Sequence, residues 1–446
     1  MPIMRQYTLT FVLHIFFTLN FHHINCINIT FIPKPKLFTL ADLPPPNVSE
    51  LVLHYAKVVP VPSNPELFVP KGFIIKVHTT DVEKPRYLQY TPEDDMLVSE
   101  SQINRISCLL DTDKDGYPDK RVTIFDATNG LSKPFGMAFS GQYFYVADQY
   151  TLRRFNWTGC TGQLSGNGEV LMSYTGERHW TRTIVIPPTN DRLYISIGSA
   201  SNINVEPLPL ASIQVANLDG TNQKPFATGL RNAVGLAFHP KTQELYATCQ
   251  ERDEIGDELV PDFFTNVKEN DFFGWPYTYL SPNFIDPRRT LANGSSERPD
   301  LVARTRTPDV LIQSHSSTLG VTFYTGKQFP ERYRSGAFVA LRGSGNRQAV
   351  IGSNIIFIPF NETTNRPINY YEDFVYGFLI NSTSPTKFGS PIGLLELKDG
   401  SIIFTDEDNN RIYQIQYIGE SNTGRRWVLA AHWIALCSSL LTYIYA

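Results

Sequence analysis

The chain has 446 residues, about three times the length of a typical single domain, so it holds either several domains or one large repetitive unit. Hydrophobic residues make up 42% of it, charged residues only 18%, and the formal net charge is −4. This composition excludes a disordered chain, and without a long basic run it argues against nucleic acid as a partner. Aromatic residues reach 13%, which is typical of many short strands joined by turns.

The first 26 residues are predicted to be a signal peptide. An apolar stretch, Tyr7–Phe21, follows Arg5, and polar, proline-rich sequence begins by Lys34. An uncleaved membrane anchor is the alternative. We place the cleavage site near Cys26, which leaves residues 27–69 as a lead-in to the main domain.

Residues 420–446 are predicted to be a membrane-attachment signal. Trp427–Ala446 is almost wholly apolar and long enough to span a bilayer. As a permanent span it would leave Arg425 and Arg426 on the non-cytoplasmic side, which the positive-inside rule disfavours. A glycosylphosphatidylinositol (GPI) anchor attached near Asn422 fits better, with a transmembrane tail as the alternative. The protein is therefore expected at the outer face of the cell.

Glycosylation sequons and sparse cysteines fit the secretory pathway. The sequons begin at Asn28, Asn47, Asn156, Asn293, Asn361 and Asn381. If the terminal segments are removed, Cys108, Cys160 and Cys249 remain. At most one disulfide can then form, and the fold must depend on its hydrophobic core.

The body of the chain is a repeat. A short alternating strand, a polar turn and a second strand rich in aromatic and β-branched residues recur, starting at Pro85, Pro134, Thr183, Ala233, Thr318 and Pro391. The first four starts lie about 50 residues apart, a period typical of propeller blades. The sequence predicts an all-β fold: a six-bladed β-propeller of four-stranded antiparallel blades over residues 70–419. A pair of β-sandwiches is the alternative, but it would not explain one recurring register.

Few residues stand out as candidates for chemistry. The chain has no GxGxxG after a strand, no P-loop, no HExxH and no GxSxG. His179 stands in a polar cluster, residues 177–182, directly before a strand, where a neutral imidazole facing the central funnel could act as a general base. A structural histidine is the alternative, and His239 and His315 are interpreted as structural.

An acidic turn has the pattern D-x-D-x-D-G-x-x-D. Its residues are Asp111, Asp113, Asp115, Gly116 and Asp119. Oxygens at alternate positions around a tight turn suit a hard cation such as Ca²⁺, although Val122 stands where the last acidic ligand is expected. We predict that the carboxylates converge on one calcium ion; a merely solvated acidic turn is the alternative.

Other charged clusters follow predicted strands. Arg231 and Asn232 open a strand, and a loop-borne arginine beside an asparagine can clamp a carboxylate. The basic cluster Arg342–Arg347 follows another strand, and the acidic cluster Glu251–Glu258 precedes the sequence FGWP. Acidic groups next to two arginine-bearing strand ends indicate a site that combines a cation with an anion.

The order of the motifs GLRNAVGLAFHP, ERDEIGDEL and DFFGWPY resembles the glucose/sorbosone dehydrogenase family, in particular its pyranose and sorbosone dehydrogenase branch. The likeness runs from about Pro70 to Ile418 and includes HWTRT, SHSSTLGVTFY and PIGLLELKDGSIIFTDEDNNRIYQI. Members of the family are six-bladed propellers that use pyrroloquinoline quinone (PQQ). The resemblance therefore implies PQQ and Ca²⁺ as cofactors.

The resemblance also implies roles for single residues. His179 would be the base that takes the hydroxyl proton of the sugar, and Arg231 and Asn232 would contact the quinone. The loop around Arg252 and Asp253 would supply calcium contacts, some of them through main-chain oxygen. Apart from the family pattern, this chain's own Arg342 and Arg347 are also expected to hold carboxylates of the cofactor.

This chain departs from the family pattern at two places. It reads RGSGNR where the family usually reads HGSWNR, so Arg342 and Gly345 replace a histidine and a tryptophan. Ser390 precedes Pro391, where an arginine that faces the cofactor is common. Loss of one arginine weakens binding of a tricarboxylate, and Arg342 could restore the charge from another direction.

The sequence thus predicts a PQQ-dependent oxidoreductase that acts on an aldose or related sugar and passes electrons to an external acceptor. A non-catalytic cell-surface propeller that binds a protein or glycan is the second hypothesis, favoured by Ser390 and Gly345. A calcium-dependent lactonase-type hydrolase has less support, because the acidic residues cluster in one loop.

Overall fold

The computed structural model describes residues 26–48, 52–175 and 178–420. Regular structure among them is almost entirely β. The helical segments are one short α-helix, Pro299–Val302, and the 3-10 turns Leu40–Asp42, Ser101–Ile103, Ala127–Asn129, Pro287–Arg289 and Glu331–Tyr333. Apart from Cys26 and Glu420, the predicted signal peptide and C-terminal signal lie outside the described residues, and both stay predictions.

Five strands precede the first repeat. They are β1 (Ile27–Phe31), β2 (Pro35–Lys36), β3 (Lys57–Val58), β4 (Glu66–Pro70) and β5 (Phe73–Thr79). β1 and β4 pair in parallel, whereas β2, β3 and β5 each join a sheet formed by later residues. The lead-in is therefore attached to the body of the molecule by strand pairing.

The described residues form six sheets of four or five strands. The first holds β6 (Leu88–Tyr90), β7 (Met96–Glu100), β8 (Arg105–Leu110) and β9 (Lys120–Phe125). The second holds β10 (Met137–Ser140), β11 (Tyr143–Ala147), β12 (Thr151–Asn156) and β13 (Glu169–Ser173). The third begins with β14 (Ile184–Val185), β15 (Arg192–Ile197), β16 (Ser212–Asn217) and β17 (Lys224–Thr228).

The next strands are β18 (Asn232–Phe238), β19 (Leu245–Gln250), β20 (Asp262–Val267), β21 (Asp271–Phe272) and β22 (Val310–Ile312). β21 extends the third sheet, and the other four make the fourth sheet. The fifth sheet contains β2 and the strands β23 (Thr318–Phe323), β24 (Ala337–Leu341), β25 (Asn354–Ile358) and, after the ribbon β26 (Phe360–Asn361) with β27 (Arg366–Pro367), β28 (Tyr371–Val375).

The last strands connect the end of the body to its beginning. They are β29 (Leu379–Asn381), β30 (Thr386–Lys387), β31 (Pro391–Glu396), β32 (Ile402–Asp406) and β33 (Arg411–Tyr417). β29 and β30 form a small sheet with β3, and the sixth sheet is β31, β32, β33 and the early strand β5. Because β5 pairs with β33, the first strand of the body completes its last sheet.

The hydrophobic core lies between neighbouring sheets. Cys108 of the first sheet packs in one cluster with Phe144 of the second, and Tyr246 of the fourth packs with Phe323 of the fifth. The strands that form these layers either alternate buried with more exposed residues or are buried along their whole length, as expected for sheets covered on both faces. The prediction of an all-β fold of the propeller type is confirmed.

The innermost strand of each sheet contacts that of the next, in the cyclic order β6, β10, β14, β18, β23, β31 and back to β6. Side-chain hydrogen bonds also join neighbouring sheets, for example from Thr248 Oγ1 in β19 to Leu319 O in β23 at 2.7 Å and from Thr405 Oγ1 in β32 to Arg86 O, just before β6, at 2.8 Å. A Cβ on Gly393 would overlap Arg86 O, so the close approach of two backbones requires glycine there.

Cysteine and asparagine side chains give two further structural facts. Cys108 and Cys160 form a disulfide that joins the first sheet to the loop after β12, within the limit of one set by the sequence. Asn28 bonds both main-chain groups of Ile75, so this sequon side chain is a structural amide.

Among the described residues, no helix is both long and apolar enough to cross a membrane.

Candidate functional site at one face of the sheets

One end of the six sheets gathers the candidate residues other than the acidic turn. The innermost strands begin there, and the second strands, which run antiparallel to them, end there. A hydrogen bond from Ser199 N, which follows β15 of the third sheet, to Arg231 O, which precedes β18 of the fourth, joins two sheets at this end at 2.8 Å. We call it the upper face; its residues are Arg86, residues 178–182, Ser199, Arg231, Asn232, residues 250–258, residues 315–317, residues 342–347, Ser390 and Glu407.

His179 lies at the upper face, directly before the third sheet. Its Nδ1 is 2.8 Å from Ser199 O and 3.0 Å from Ser199 Oγ. A carbonyl oxygen only accepts, so Nδ1 carries the proton and Nε2 carries the lone pair of the neutral ring. The buried guanidinium of Arg182 donates to the main-chain oxygens of His179 and Thr181, which fixes the backbone beneath the ring.

The pKa of His179 is held well below its usual value. Burial is the main cause, and the positive charges of Arg231 and Arg178 add to it. The ring is therefore neutral at physiological pH, the form in which an imidazole accepts a proton. A Cβ on Gly198 would lie 2.6 Å from His179 Cβ and would overlap Asn232 Oδ1, so only glycine lets the ring and the amide come together.

Arg231 is buried and fully engaged by protein groups. Its guanidinium donates to Glu251 O at 2.7 Å, to Asn202 Oδ1 at 3.1 Å and to Asp253 Oδ2 at 2.8 Å. Only 3% of its side chain is exposed. The guanidinium of Arg231 is therefore held by protein groups, and its place in the cluster is set by the fourth sheet.

Asn232 presents an unused hydrogen-bond acceptor. Its Nδ2 donates to Gln250 Oε1 at 3.0 Å, while its Oδ1 is buried and has no partner among the described residues. Gln250 in turn donates to Thr318 O at 3.0 Å, which fixes the amide between the fourth and fifth sheets. An unpaired buried acceptor costs about 1–3 kcal/mol, so this oxygen is suited to a hydroxyl or N–H of a ligand.

His315 belongs to the same network. Its Nδ1 lies 3.2 Å from Asp253 Oδ1 and its Nε2 lies 3.0 Å from Gly256 O. Both partners are acceptors, so the ring donates from both nitrogens. Burial lowers the pKa of His315, but the hydrogen bond to Asp253 outweighs it and the pKa is raised. From the sequence His315 was interpreted as structural; its position shortly before the strand β23 was the signal that could have indicated a place at the upper face.

Cationic side chains surround the loop that was predicted to contact calcium. The carboxylate of Asp253 accepts from Arg231 at 2.8 Å and lies 3.2 Å from the ring of His315. The guanidinium of Arg252 donates to Asp253 O at 2.8 Å and to Asp286 Oδ2 at 2.6 Å. Calcium binds about six to eight oxygens, and here it would compete with these cations for each of them. As arranged, Arg252 and Asp253 do not fit a calcium ion.

A second ionic cluster joins the fifth, sixth and first sheets. Glu407 accepts from Arg86 at 2.7 Å and from Arg342 at 3.3 Å. Burial raises the pKa of Glu407, but the two guanidinium groups outweigh it and lower the pKa to about 2. Arg86 also lies 4.8 Å from the centre of the Trp180 ring, next to His179. The side chain of Arg342 is 38% exposed, so this arginine is open to a ligand.

Arg347 is committed to the neighbouring loop. It donates to Glu258 Oε1 at 2.6 Å and to Asp257 O at 3.1 Å, and 8% of its side chain is exposed. The structure therefore brings Arg347 to the upper face but uses its charge to fasten two loops. Of the predicted arginine contacts to a cofactor, Arg342 is the one with an exposed guanidinium.

A lysine stands beside the serine that departs from the family pattern. Lys387 Nζ donates to Ser390 Oγ at 2.6 Å and lies 3.0 Å from Asp408 Oδ2. Ser390 Oγ donates to the same carboxylate at 2.6 Å. Lys387, in β30, thus supplies a cation next to Ser390, the position at which the family pattern commonly has an arginine one residue before Pro391.

The acidic turn lies at the opposite end of the sheets. It follows β8, which starts at the upper face, and carboxylate oxygens of Asp111, Asp113 and Asp115 lie within 4.8 Å of one another. Asp119 is outside this group, because its carboxylate accepts from Thr112 Oγ1 at 2.7 Å and 2.9 Å. The structure therefore separates the acidic turn from His179 and Arg231 by the length of the sheets.

The fold and the upper face together define an all-β, propeller-type protein with a neutral histidine set among buried arginines. Residues 67–271 match a family model described as TrAA12-like. An uncharacterized protein of Borreliella burgdorferi is 26% identical over 365 residues, which cover 79% of this chain and 91% of that protein.

Solved structures give the same fold. A calcium structure of the Trichoderma reesei carbohydrate-active enzyme family AA12 has 17% identity and a TM-score of 0.67, and the match covers 81% of this chain and 98% of that one. The PQQ domain of a pyranose dehydrogenase from Coprinopsis cinerea, in its holo form, has 18% identity and a TM-score of 0.64, with 80% and 98% covered. The resemblance of this chain to the glucose/sorbosone dehydrogenase family is confirmed.

Proposed function

We propose that the protein is a PQQ-dependent oxidoreductase that oxidises a hydroxyl group of a sugar at the upper face, where six blades of one closed propeller meet. The observation that carries this proposal is the pairing of a neutral His179 with the unpartnered Oδ1 of Asn232. An enzyme that removes a hydroxyl proton needs a neutral base, and a bound ligand supplies the donor that the amide oxygen lacks.

The residues of the upper face fit an anionic cofactor with hydrogen-bond donors. Arg342 offers an exposed guanidinium, Lys387 adds a second cation near Ser390, and Asn232 Oδ1 is free to accept. PQQ, when bound, supplies the hydride acceptor, because it carries the redox chemistry and the protein supplies binding and electrostatics. The charges of Arg231 and Arg178 favour its carboxylates at a distance.

His179 is arranged to take a proton at Nε2. Ser199 holds the proton on Nδ1, which leaves the lone pair of Nε2 for the sugar hydroxyl. Burial is the main cause of the low pKa of His179 and the charges of Arg231 and Arg178 add to it, so an anionic ligand would offset the contribution of the arginines. Binding of an anion would therefore also prepare the base.

The proposal can be tested by adding PQQ to the purified protein and measuring dye reduction with a panel of aldoses. His179→Gln should lower kcat by at least about a hundredfold and leave PQQ affinity unchanged, since a general base acts in the chemical step. Arg342→Ala should weaken PQQ binding about tenfold, as expected for loss of one charge-assisted hydrogen bond. Arg366, which is similarly exposed and paired with Glu244 far from the upper face, is the matched control.

The second candidate is a propeller that binds a glycan or protein without catalysis. The engagement of Arg231 and Arg347 by protein groups favours it, because it leaves fewer charges for a tricarboxylate. If the wild-type protein binds no PQQ in a titration followed by absorbance, the oxidoreductase proposal is wrong and this second function takes its place.

A further inference from the structure

Residues 52–59, which we call the strap, run across loops of the upper face. The strap is fixed at one end by β3, where Val58 pairs with Lys387 and Val59 N donates to Lys387 O at 2.8 Å. At the other end, His54 N donates to Gly345 O at 2.6 Å and His54 Nδ1 lies 2.9 Å from Gln348 O. The lead-in segment is therefore bound to Gly345 and to Lys387, which lies three residues before Ser390.

The ring of Tyr55 lies against Gly345. A Cβ on Gly345 would overlap the Tyr55 ring, and the backbone of Gly345 is outside the left-handed region, so close contact with the ring is what requires glycine. Yet 70% of Tyr55 is exposed. A large aromatic residue that is held by one edge and open over most of its surface contributes little to a core.

The position of this ring is set by the loop that carries Arg342. Gly343 N donates to Ser316 O at 2.9 Å, and Arg342 reaches Glu407, the partner of Arg86. Gly345 lies three residues beyond Arg342 on this loop. The exposed Tyr55 ring therefore lies at the upper face, against the same loop that carries the partly exposed Arg342.

We propose that Tyr55 is a substrate-contacting residue, and that the strap supplies through it the aromatic surface on which the apolar C–H face of a sugar ring packs. The inference rests on the proposed function. Gly345 stands where the family that this chain resembles usually has a tryptophan, and the ring of Tyr55, from a distant segment of the sequence, lies against it. An amphipathic ring such as tyrosine combines an apolar face with a polar tip, which suits a ligand that is apolar on one face and hydroxylated at its edge.

Whether the sugar contacts the Tyr55 ring can be tested by removing the aromatic ring at position 55 and by supplying one from position 345. Tyr55→Ala should raise KM for the sugar about tenfold with kcat nearly unchanged, since an aromatic contact of this kind is worth about that factor in affinity. Tyr55→Phe keeps the ring face and should keep KM. The double variant Tyr55→Ala/Gly345→Trp returns a ring to the same space from the loop and should recover most of the lost affinity.

Direct binding separates this proposal from the proposed function. Saturation-transfer NMR with D-glucose and the cofactor-free protein measures sugar binding without turnover, and the signal should fall in Tyr55→Ala. If the wild type reduces no dye but binds sugar, and this binding falls in Tyr55→Ala, the oxidoreductase proposal is wrong and the proposal for Tyr55 stands. Normal turnover with unchanged KM and unchanged saturation transfer in Tyr55→Ala would overturn the role of Tyr55 alone.

A purely structural role of the strap has its own control. Leu53 is 63% exposed on the same segment, and Leu53→Ala removes apolar surface without touching the ring contact. Hydrogen exchange at the His54 N–H reports whether the strap stays bound to Gly345. If Leu53→Ala raises KM as much as Tyr55→Ala, or if KM rises only in variants whose His54 amide loses protection, the strap is structural and the proposal is wrong.

Discussion

The upper face and the acidic turn both concentrate charged side chains, but in opposite surroundings. At the upper face, Arg252 and Asp286 pair with side chains 1% and 3% exposed. In the acidic turn at the other end, Asp113 and Asp115 are exposed and accept mainly from main-chain N–H groups of the turn itself. The upper face pairs buried charges of opposite sign, whereas the acidic turn leaves like charges together in solvent.

The difference shows why charge density alone does not locate the chemistry. Burial lowers the pKa of His179 well below its usual value and raises the pKa of Glu251 to about 8, so groups at the upper face take protonation states that solvent would not allow. Exposed carboxylates that converge can instead respond to a dissolved cation. The first region is suited to proton transfer and the second to ion binding.

The largest expected change in the free energy of unfolding comes from breaking the buried ion pair of Arg252 with Asp286. Arg252→Met should lower the free energy of unfolding by about 3–5 kcal/mol, because it leaves the Asp286 carboxylate buried without its cation. Urea unfolding followed by fluorescence measures the loss. Arg298 pairs with Asp300 in solvent, and Arg298→Met should lower the free energy of unfolding far less, because water screens an exposed ion pair. Equal losses in the two variants would contradict the contrast between buried and exposed charge.

The next largest effect is expected in the pH dependence of the free energy of unfolding, to which carboxyl groups buried at the upper face contribute. Burial raises the pKa of Glu251 from 4.5 to about 8, so its protonated form stabilises the fold fully below pH 4.5, and this contribution is lost as the pH rises through about 8. Between pH 6 and 8 the free energy of unfolding should fall by up to about 1.4 kcal/mol per pH unit for this proton.

Glu251→Gln should flatten that fall, as measured by urea unfolding at several pH values. Asp406, whose pKa burial raises to about 7, keeps a second contribution in the variant, so the slope should be reduced and not abolished. A slope identical to that of the wild type would show that Glu251 does not titrate in this window.

The smallest expected effect belongs to the acidic turn. We propose that millimolar CaCl₂ stabilises the folded protein through Asp111, Asp113 and Asp115, by about 1.4 kcal/mol when free calcium is about ten times the dissociation constant. Differential scanning calorimetry should show a rise in Tm in the wild type and none in Asp111→Asn/Asp113→Asn. Asp219→Asn, in another exposed turn, should respond like the wild type. A Tm that calcium leaves unchanged would identify a merely solvated turn.

Local patterns predicted what depends on neighbours in sequence. The alternating strands and their repeat predicted the all-β fold, and the motif before β14 singled out His179. The state of His179 could not be predicted in this way, because Ser199 and Arg231, which set its tautomer and lower its pKa, come from other segments. For the same reason Arg231 was expected to bind a carboxylate of a ligand, although Asn202 and Asp253 accept hydrogen bonds from its guanidinium.

The sequence by itself determined the strand repeat, the residue types at the strand ends and the places where the chain departs from its relatives. Tertiary structure decided which of these residues meet: Tyr55 with Gly345, Lys387 with Ser390, and Arg252 with Asp286. The physical reason is that hydrophobic alternation acts over a few residues, whereas charge pairing and burial depend on groups that lie far apart in the chain and touch only once the sheets have packed.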